Sequence, residues 1–184
     1  MNDIELYNKS ILLIGPSGAG KSTVAEELRQ ITQMPRLCLD RIANQDRNTG
    51  FMNNFRNADE YNSYMIKSIL AKAKKEKIPG IVDFGAGHSV YRNLEIFNEV
   101  KTELKPFKNI VLLLPSVDIN ESLRIMAERS TGDYSTNKEF ITSPCNRELA
   151  TMTIYGNNRT PNEIAHQICK KIEAREKNKS EQIR

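Results

Sequence analysis

The chain is poor in the residues from which metal centres, disulfide frameworks and membrane spans are built. It has three cysteines and two histidines in 184 residues. Cys38, Cys145 and Cys169 lie far apart, lack any C-x-x-C spacing and are odd in number. Reduced apolar side chains are therefore expected, not a disulfide scaffold or a zinc site. His88 and His166 have no partner at metal-ligand spacing. His166 falls in a helical pattern and is expected on a surface or flank, whereas His88 follows a glycine-rich turn, where it either faces a site or merely borders one. The first residues, MNDIELYNKS, lack the apolar centre of a secretory leader, and no unbroken apolar run reaches spanning length. A soluble, cytoplasmic protein with no membrane partner is expected. Charge is equally undirected: 27 Lys+Arg against 23 Asp+Glu leave a net +4. The densest runs, KAKKEK and KKIEAREKNK, mix acids with bases or lie on solvated faces, so no nucleic-acid partner is expected. No internal repeat or low-complexity segment appears, and the length suits one domain rather than a multidomain motor.

Against this background GPSGAGKST, residues 15–23, is unusual. It puts three glycines, a proline and a lysine between the apolar run Ile11 to Ile14 and the helical spacing of Ala25, Leu28 and Ile31. Gly15, Gly20, Lys21 and Ser22 satisfy the Walker A pattern G-x-x-x-x-G-K-[ST], and the strand before and helix after supply the context its mechanism needs. Glycines let successive N–H groups curl around a phosphate, and the helix adds its unpaired N-terminal donors. Lys21 supplies a cation for the β- and γ-phosphates and Ser22 a hydroxyl for Mg²⁺. Gly15, Pro16, Ser17, Gly18, Ala19, Gly20, Lys21, Ser22 and Thr23 are thus the candidate nucleotide site. A turn that only joins strand to helix would need neither the lysine nor the hydroxyl.

The rest of the chain alternates element types. RLCLD (36–40) reads as a strand ending in an acid, and a polar connection leads to a long helix through Tyr61, Met65 and Ile69. PGIVDFGAG (79–87) is a buried strand entering a second glycine-rich turn; LEIFNEVKTEL is helical, and NIVLLL (109–114) is another buried strand. INESLRIMAER is a helix opened by Asp118 and Glu121 as a capping box. Residues 130–143 show no period and read as a flexible polar loop, TMTIY (151–155) is a fifth strand, and Thr160, Pro161 and Glu163 cap a last helix whose end is expected to fray. Continuous apolar strands separated by helices predict an α/β fold, a five-stranded parallel sheet with helices on both faces. Ligands of such sheets bind beyond the strands' carboxyl ends. That edge collects the phosphate loop, Asp40 and Asp83 to His88.

The order of these features resembles the shikimate kinase group of small P-loop kinases, whose architecture adenylate and gluconate kinases share. The features are a phosphate loop, a strand ending in Asp, FR on a helix, a strand into a Gly-x-Gly turn, a short arginine-bearing lid and a closing G-x-x-R-T-P-x-E-[IV]-A. The resemblance covers nearly the whole chain. It implies one kinase domain over residues 1–184 with a lid at about 130–145, ATP and Mg²⁺ as cofactors, a small-molecule acceptor, and a monomer or weak dimer. It implies that Asp40 binds substrate and takes the acceptor's proton, that Arg56 grips a substrate carboxylate, and that Gly85, Ala86 and Gly87 form a substrate loop. Arg129 and Pro161 would hold adenine between them.

The chain also departs from this family. Cys38 stands where the family has a second acid, and Asp83 is the replacement expected beside Mg²⁺. Thr142 stands where the family has an arginine for the substrate carboxylate; Arg147 either replaces it or does not, and Lys138 is the cation of the lid segment. Scaffold and donor chemistry are kept, and the acceptor is expected to have changed. Each acid and Arg56 has a structural alternative: Asp40 and Asp83 as turn starters, Arg56 as a surface residue of a helix. Two rival functions follow from the same features: a nucleotide-dependent switch ATPase, or a toxin-like kinase of a nucleotide-sugar or macromolecule.

Overall fold

Ile11–Ile14 forms β1, and all four side chains are buried. The alternation of the strand divides them between two layers: Leu12 and Ile14 enter one core, Ile11 and Leu13 another. β4 (Asn109–Leu114) divides the same way, with Ile110, Leu112 and Leu114 on the first side and Val111 and Leu113 on the second. The first core is closed by Tyr61, Met65 and Ile66 of α4 (Ala58–Glu76) and by Phe97 and Val100 of α5 (Leu94–Leu104). Val24, Ala25 and Leu28 of α2 (Lys21–Thr32) close the second, with Ile164, Ala165 and Ile168 of α9 (Pro161–Gln182). The structure, a computed structural model, describes residues 2–129, 134–156 and 158–182.

With β2 (Arg36–Cys38), β3 (Ile81–Asp83) and β5 (Met152–Tyr155), these strands make a five-stranded, all-parallel sheet in the order β2-β3-β1-β4-β5. The α/β architecture expected from the apolar runs is the one observed. Register places Leu13, Asp83 and Cys38 side by side across three neighbouring strands. Asp83 therefore stands one strand away from the phosphate loop, in line with the position that Cys38 fills.

Several elements differ from the sequence pattern. The strand at RLCLD stops at Cys38, and Asp40 sits in the first turn of α3 (Leu39–Asn48), because Leu39 is driven fully into the core and starts the helix there. Phe55 and Arg56 are not helical. They join a 3-10 turn (Phe51–Asn54) to α4, which begins only after Asn57 caps it by accepting from Glu60 N at 3.0 Å. The polar stretch after residue 133 is helical as α7 (Tyr134–Thr142), since Ile141 packs with Leu123 and Met126 of α6 (Ile119–Glu128). That apolar stripe is too short to show a period, and residues 130–133 of the expected loop lie outside the described ones. A short α8 (Pro144–Leu149) follows. Nothing in the sequence marked α1 (Asp3–Lys9), which is held by an Asn2–Glu5 capping box and the fully buried Leu6. At the other end α9 keeps helical backbone through Gln182.

One position tests how the loop is seated. Gly15 has φ +135°, and a Cβ there would run into the backbone carbonyl of Leu113 on β4. Strain and overlap together are expected to cost Gly15→Ala about 3 kcal/mol or more, lowering Tm by roughly 6–12 °C. Thermal denaturation within about 2 °C of the parent would show that the loop accommodates the methyl group.

Candidate active site

The turn from β1 to α2 uses three glycines at positive φ: Gly15, Gly18 at +72° and Gly20 at +88°. α2 then starts at Lys21 with no side chain capping it, so its first N–H groups are left for whatever fills the cleft beside them. Lys21 is only 7 % exposed, and its Nζ donates to the carbonyls of Gly15 and Pro16, both at 2.8 Å. Burial pushes its pKa from 10.5 down to about 8, against the pull of Asp83, Asp40 and Cys38. The loop thus holds a cation where water is scarce, a state that an anion would relieve.

The cleft over the loop has a volume of about 430 Å³. Ser17 to Val24 form its floor, Asp40 and Ala86 one side, and Pro115, Arg129, Gly156, Arg159, Pro161 and Ile164 the other. Arg129 and Pro161 are therefore brought to one wall, and Arg129 Nη1 donates to the Gly18 carbonyl at 2.8 Å. Arg159 shares that wall, held by Gln167 Oε1 at 2.8 Å and the Tyr155 carbonyl. Its signal in the sequence was its place in GNNRTP. The Thr160–Glu163 cap that opens α9 fixes the adjoining backbone at the cleft.

Asp40 projects from the first turn of α3 with its side chain 61 % exposed, its Oδ1 3.8 Å from His88 Nδ1. Gly85 lies between them: a Cβ there would collide with Asp40 Oδ1 and come within 2.5 Å of His88 Nδ1. A larger residue here would have to push the Asp40 carboxylate and His88 ring aside; the φ of −64° sets no demand for glycine. His88 is buried, and its Nδ1 has no hydrogen-bond partner among the described residues. Burial lowers its pKa; Asp40 pulls it up and Lys21 pushes it down. Because the folded protein takes up this proton at lower pH than the unfolded chain, which does so near about 6.5, stability falls as pH drops through and below that value. Tm measured from pH 8 to pH 5 should fall more steeply for the parent than for His88→Gln; parallel curves would refute a buried neutral imidazole.

Asp83 is 2 % exposed and is not a bare strand-end acid, as the sequence suggested. Its Oδ2 accepts from Arg36 Nη2 at 2.6 Å. Arg36 lies two residues before Cys38 on the same face of β2, which brings it across to Asp83. The pair sits behind the cleft rather than lining it. Among the described residues no three His, Cys, Asp or Glu side chains come together to hold a metal ion. A divalent ion here would draw most of its ligands from phosphate and water.

A second cavity, of about 660 Å³, adjoins the 3-10 turn Ala86–Ser89. Ala86 lines the first cavity and Gly87 the second. Arg56 lines neither; its side chain is 88 % exposed and ion-paired with Glu60, which the Asn57 cap places one turn ahead. Arg147 and Lys138 are also exposed and line neither cavity. The cation of the second cavity is Arg92, to which nothing in the sequence drew attention.

A glycine-lined loop cradling a buried lysine at the carboxyl edge of a parallel sheet defines a P-loop protein. A family model described as an AAA domain matches residues 11–110, and the chain belongs to that family. No curated protein matches the sequence. Among solved structures, the chain is similar to the shikimate kinase of Acinetobacter baumannii in complex with shikimate, with a TM-score of 0.65 and 18% identity over 94% of this chain and 98% of that one. It is similar to a gluconokinase of Sinorhizobium meliloti 1021 at a TM-score of 0.60 and 14% identity over 96% of this chain and 98% of the other. The fold is that of the shikimate kinase-like small P-loop kinases. Among the described residues no helix is long and apolar enough to cross a membrane.

Proposed function

We propose that the protein is an ATP-dependent phosphotransferase that moves the γ-phosphoryl group of MgATP to a hydroxyl of a small-molecule acceptor. The observation that carries this reading is the 3-10 turn that begins at Ala86: Ala86 lines the phosphate-loop cleft and its neighbour Gly87 lines a second cavity. Reactants bound in the two would face each other across one turn, with Asp40 at its rim. A switch ATPase needs only the first cleft.

In this reading the loop N–H groups and Lys21 take the β- and γ-phosphates, and Arg129, Pro161 and Arg159 take the adenosine end. Ser22 would hold Mg²⁺, with phosphate and water completing its ligands, and Asp83, engaged by Arg36 and absent from the cleft lining, is left out of that set; the ion's contribution would be to neutralise charge on the phosphate oxygens. Asp40 accepts the proton of the acceptor hydroxyl as its oxygen attacks the γ-phosphorus, and ADP departs from the opposite side. Closure of the segment around α7 excludes water and protects ATP from hydrolysis.

ADP release by the purified protein, measured with MgATP across a library of hydroxylated metabolites, tests this. Release dependent on one chemical group of metabolites is expected, with shikimate turned over poorly at sub-millimolar concentration, because Thr142 replaces an arginine and Arg147 and Lys138 line neither cavity. If no metabolite raises ADP release but a protein partner does, the chain is a switch ATPase. Growth inhibition on expression, with phosphate transferred to a nucleotide-sugar or macromolecule, would assign the toxin-like reading instead.

A further inference from the structure

The second cavity is walled by the start of α4, the loop leading into α5, and α7. Its polar side chains are Asn57, Asp59, Asn62, Arg92, Asn93, Thr136 and Glu139. Two acids face one base, so the wall carries net negative charge, and among the described residues Arg92 is its sole Lys or Arg. That guanidinium is already engaged. Its Nη2 donates to both oxygens of Glu139, at 3.3 and 3.2 Å, and its Nε to one of them at 3.3 Å. The backbone N–H groups of Arg92 and Asn93 donate to Asp59 Oδ2, at 2.9 and 2.7 Å. The arginine's side chain, 84 % exposed, is therefore paired with Glu139, and its backbone with Asp59, before any ligand arrives.

The three carboxamides behave differently, because each spends one end on the wall and keeps the other. Asn57 Oδ1 caps α4 at Glu60 N, and Asn93 Oδ1 caps α5 at Glu95 N and Ile96 N, which leaves the NH₂ of both as donors. Asn62 Nδ2 donates to the Gly87 carbonyl at 3.1 Å, which leaves its Oδ1 as an acceptor. Neutral donors and acceptors set around a cavity match hydroxyl groups, which donate and accept at once. They do little for a carboxylate or phosphate, which would enter a site already negative and find its one cation neutralised.

We propose, on the phosphotransferase reading above, that this cavity binds the acceptor and that the acceptor is a polyhydroxylated molecule bearing no negative charge, such as a neutral sugar, cyclitol or nucleoside. Its reactive hydroxyl reaches the donor past Gly87, and Arg92–Glu139 acts as a filter against acidic analogues. The shikimate-bound relative thus shares the scaffold but not the charge of the ligand.

The test uses the full chain with MgATP and a library of neutral sugars, cyclitols and nucleosides, each paired with its carboxylated or phosphorylated counterpart. Binding is read by ligand-induced thermal shift and transfer by ADP release. A neutral member should exceed its acidic counterpart at least tenfold in kcat/KM. Glu139→Gln, which releases Arg92, should narrow that ratio at least tenfold, and Asn62→Leu should weaken binding of the neutral member. A preferred acidic counterpart, an unchanged ratio in Glu139→Gln, or no neutral ligand bound at all overturns the inference while leaving phosphoryl transfer to be judged on its own. Neutral ligands that bind in an Asn62-dependent way without ADP release would sink the kinase reading and keep the cavity's chemistry.

Discussion

Lys21→Met is expected to abolish most of the stabilisation that MgATP gives the protein while leaving the empty protein's Tm within a few degrees. Both halves follow from the buried ammonium. Bringing its pKa from 10.5 to about 8 means that at neutral pH the charged lysine costs about 3 kcal/mol, a cost relieved as pH rises from about 8 towards 10.5. Methionine removes that cost but takes from the Gly15 and Pro16 carbonyls the donor they share; Pro16 still accepts from Ala19 N, so the loss is about 1–3 kcal/mol at the buried Gly15 acceptor. The two effects offset in the empty protein. They do not offset with nucleotide bound, because the phosphates then have no side-chain cation in the loop. A ligand at a hundred times its Kd stabilises by about 2.7 kcal/mol; the parent should show a shift of that order with MgATP and the variant a small fraction of it. Equal shifts would mean that the loop does not hold the triphosphate.

Asp40→Asn is expected to lower acceptor phosphorylation by about two to four orders of magnitude, the range for a lost general base, with ATP affinity by calorimetry unchanged. Asparagine preserves shape and hydrogen bonding but not basicity. Asp40 is suited to this test because it lines the cleft with a side chain that is largely exposed and packed on little; its loss should leave the fold alone. Turnover within a few-fold of the parent on a proven acceptor would make Asp40 structural and turn attention to Asp83. An accompanying loss of ATP affinity would place Asp40 in the donor site instead.

The donor half of the site was legible because it is local. GPSGAGKST lies in one unbroken stretch between a strand and a helix, and the glycines that it needs are visible as glycines. Arg129 and Pro161 could be placed only through resemblance, since they are contributed by distant elements. The acceptor side was largely illegible for the same reason. Arg92, Asn62 and Glu139 come from three segments that meet only when α4, α5 and α7 pack. Asp83 shows the limit sharply: its place at a strand end could be read, but not that Arg36 of the neighbouring strand would take its charge. For Arg56, the sequence did not show that a cap at Asn57 would set Glu60 within its reach. α7 was missed because its apolar packing comes from Ile141 against Leu123 and Met126 of α6, not from a periodic face.

The order of the sheet also governs how the chain must fold. β1 comes before both of its partners in the sequence, for Ile11 pairs with Ile81 on one side and Asn109 on the other. The strand that carries the phosphate loop therefore waits, apolar on both faces, until β3 and β4 have been synthesised. Contacts so distant in sequence make folding slow and leave such a strand open to mispairing in the interval. The segment that carries the phosphate loop is thus also one left exposed during biogenesis, and α1, closed by its own capping box, lies directly before it.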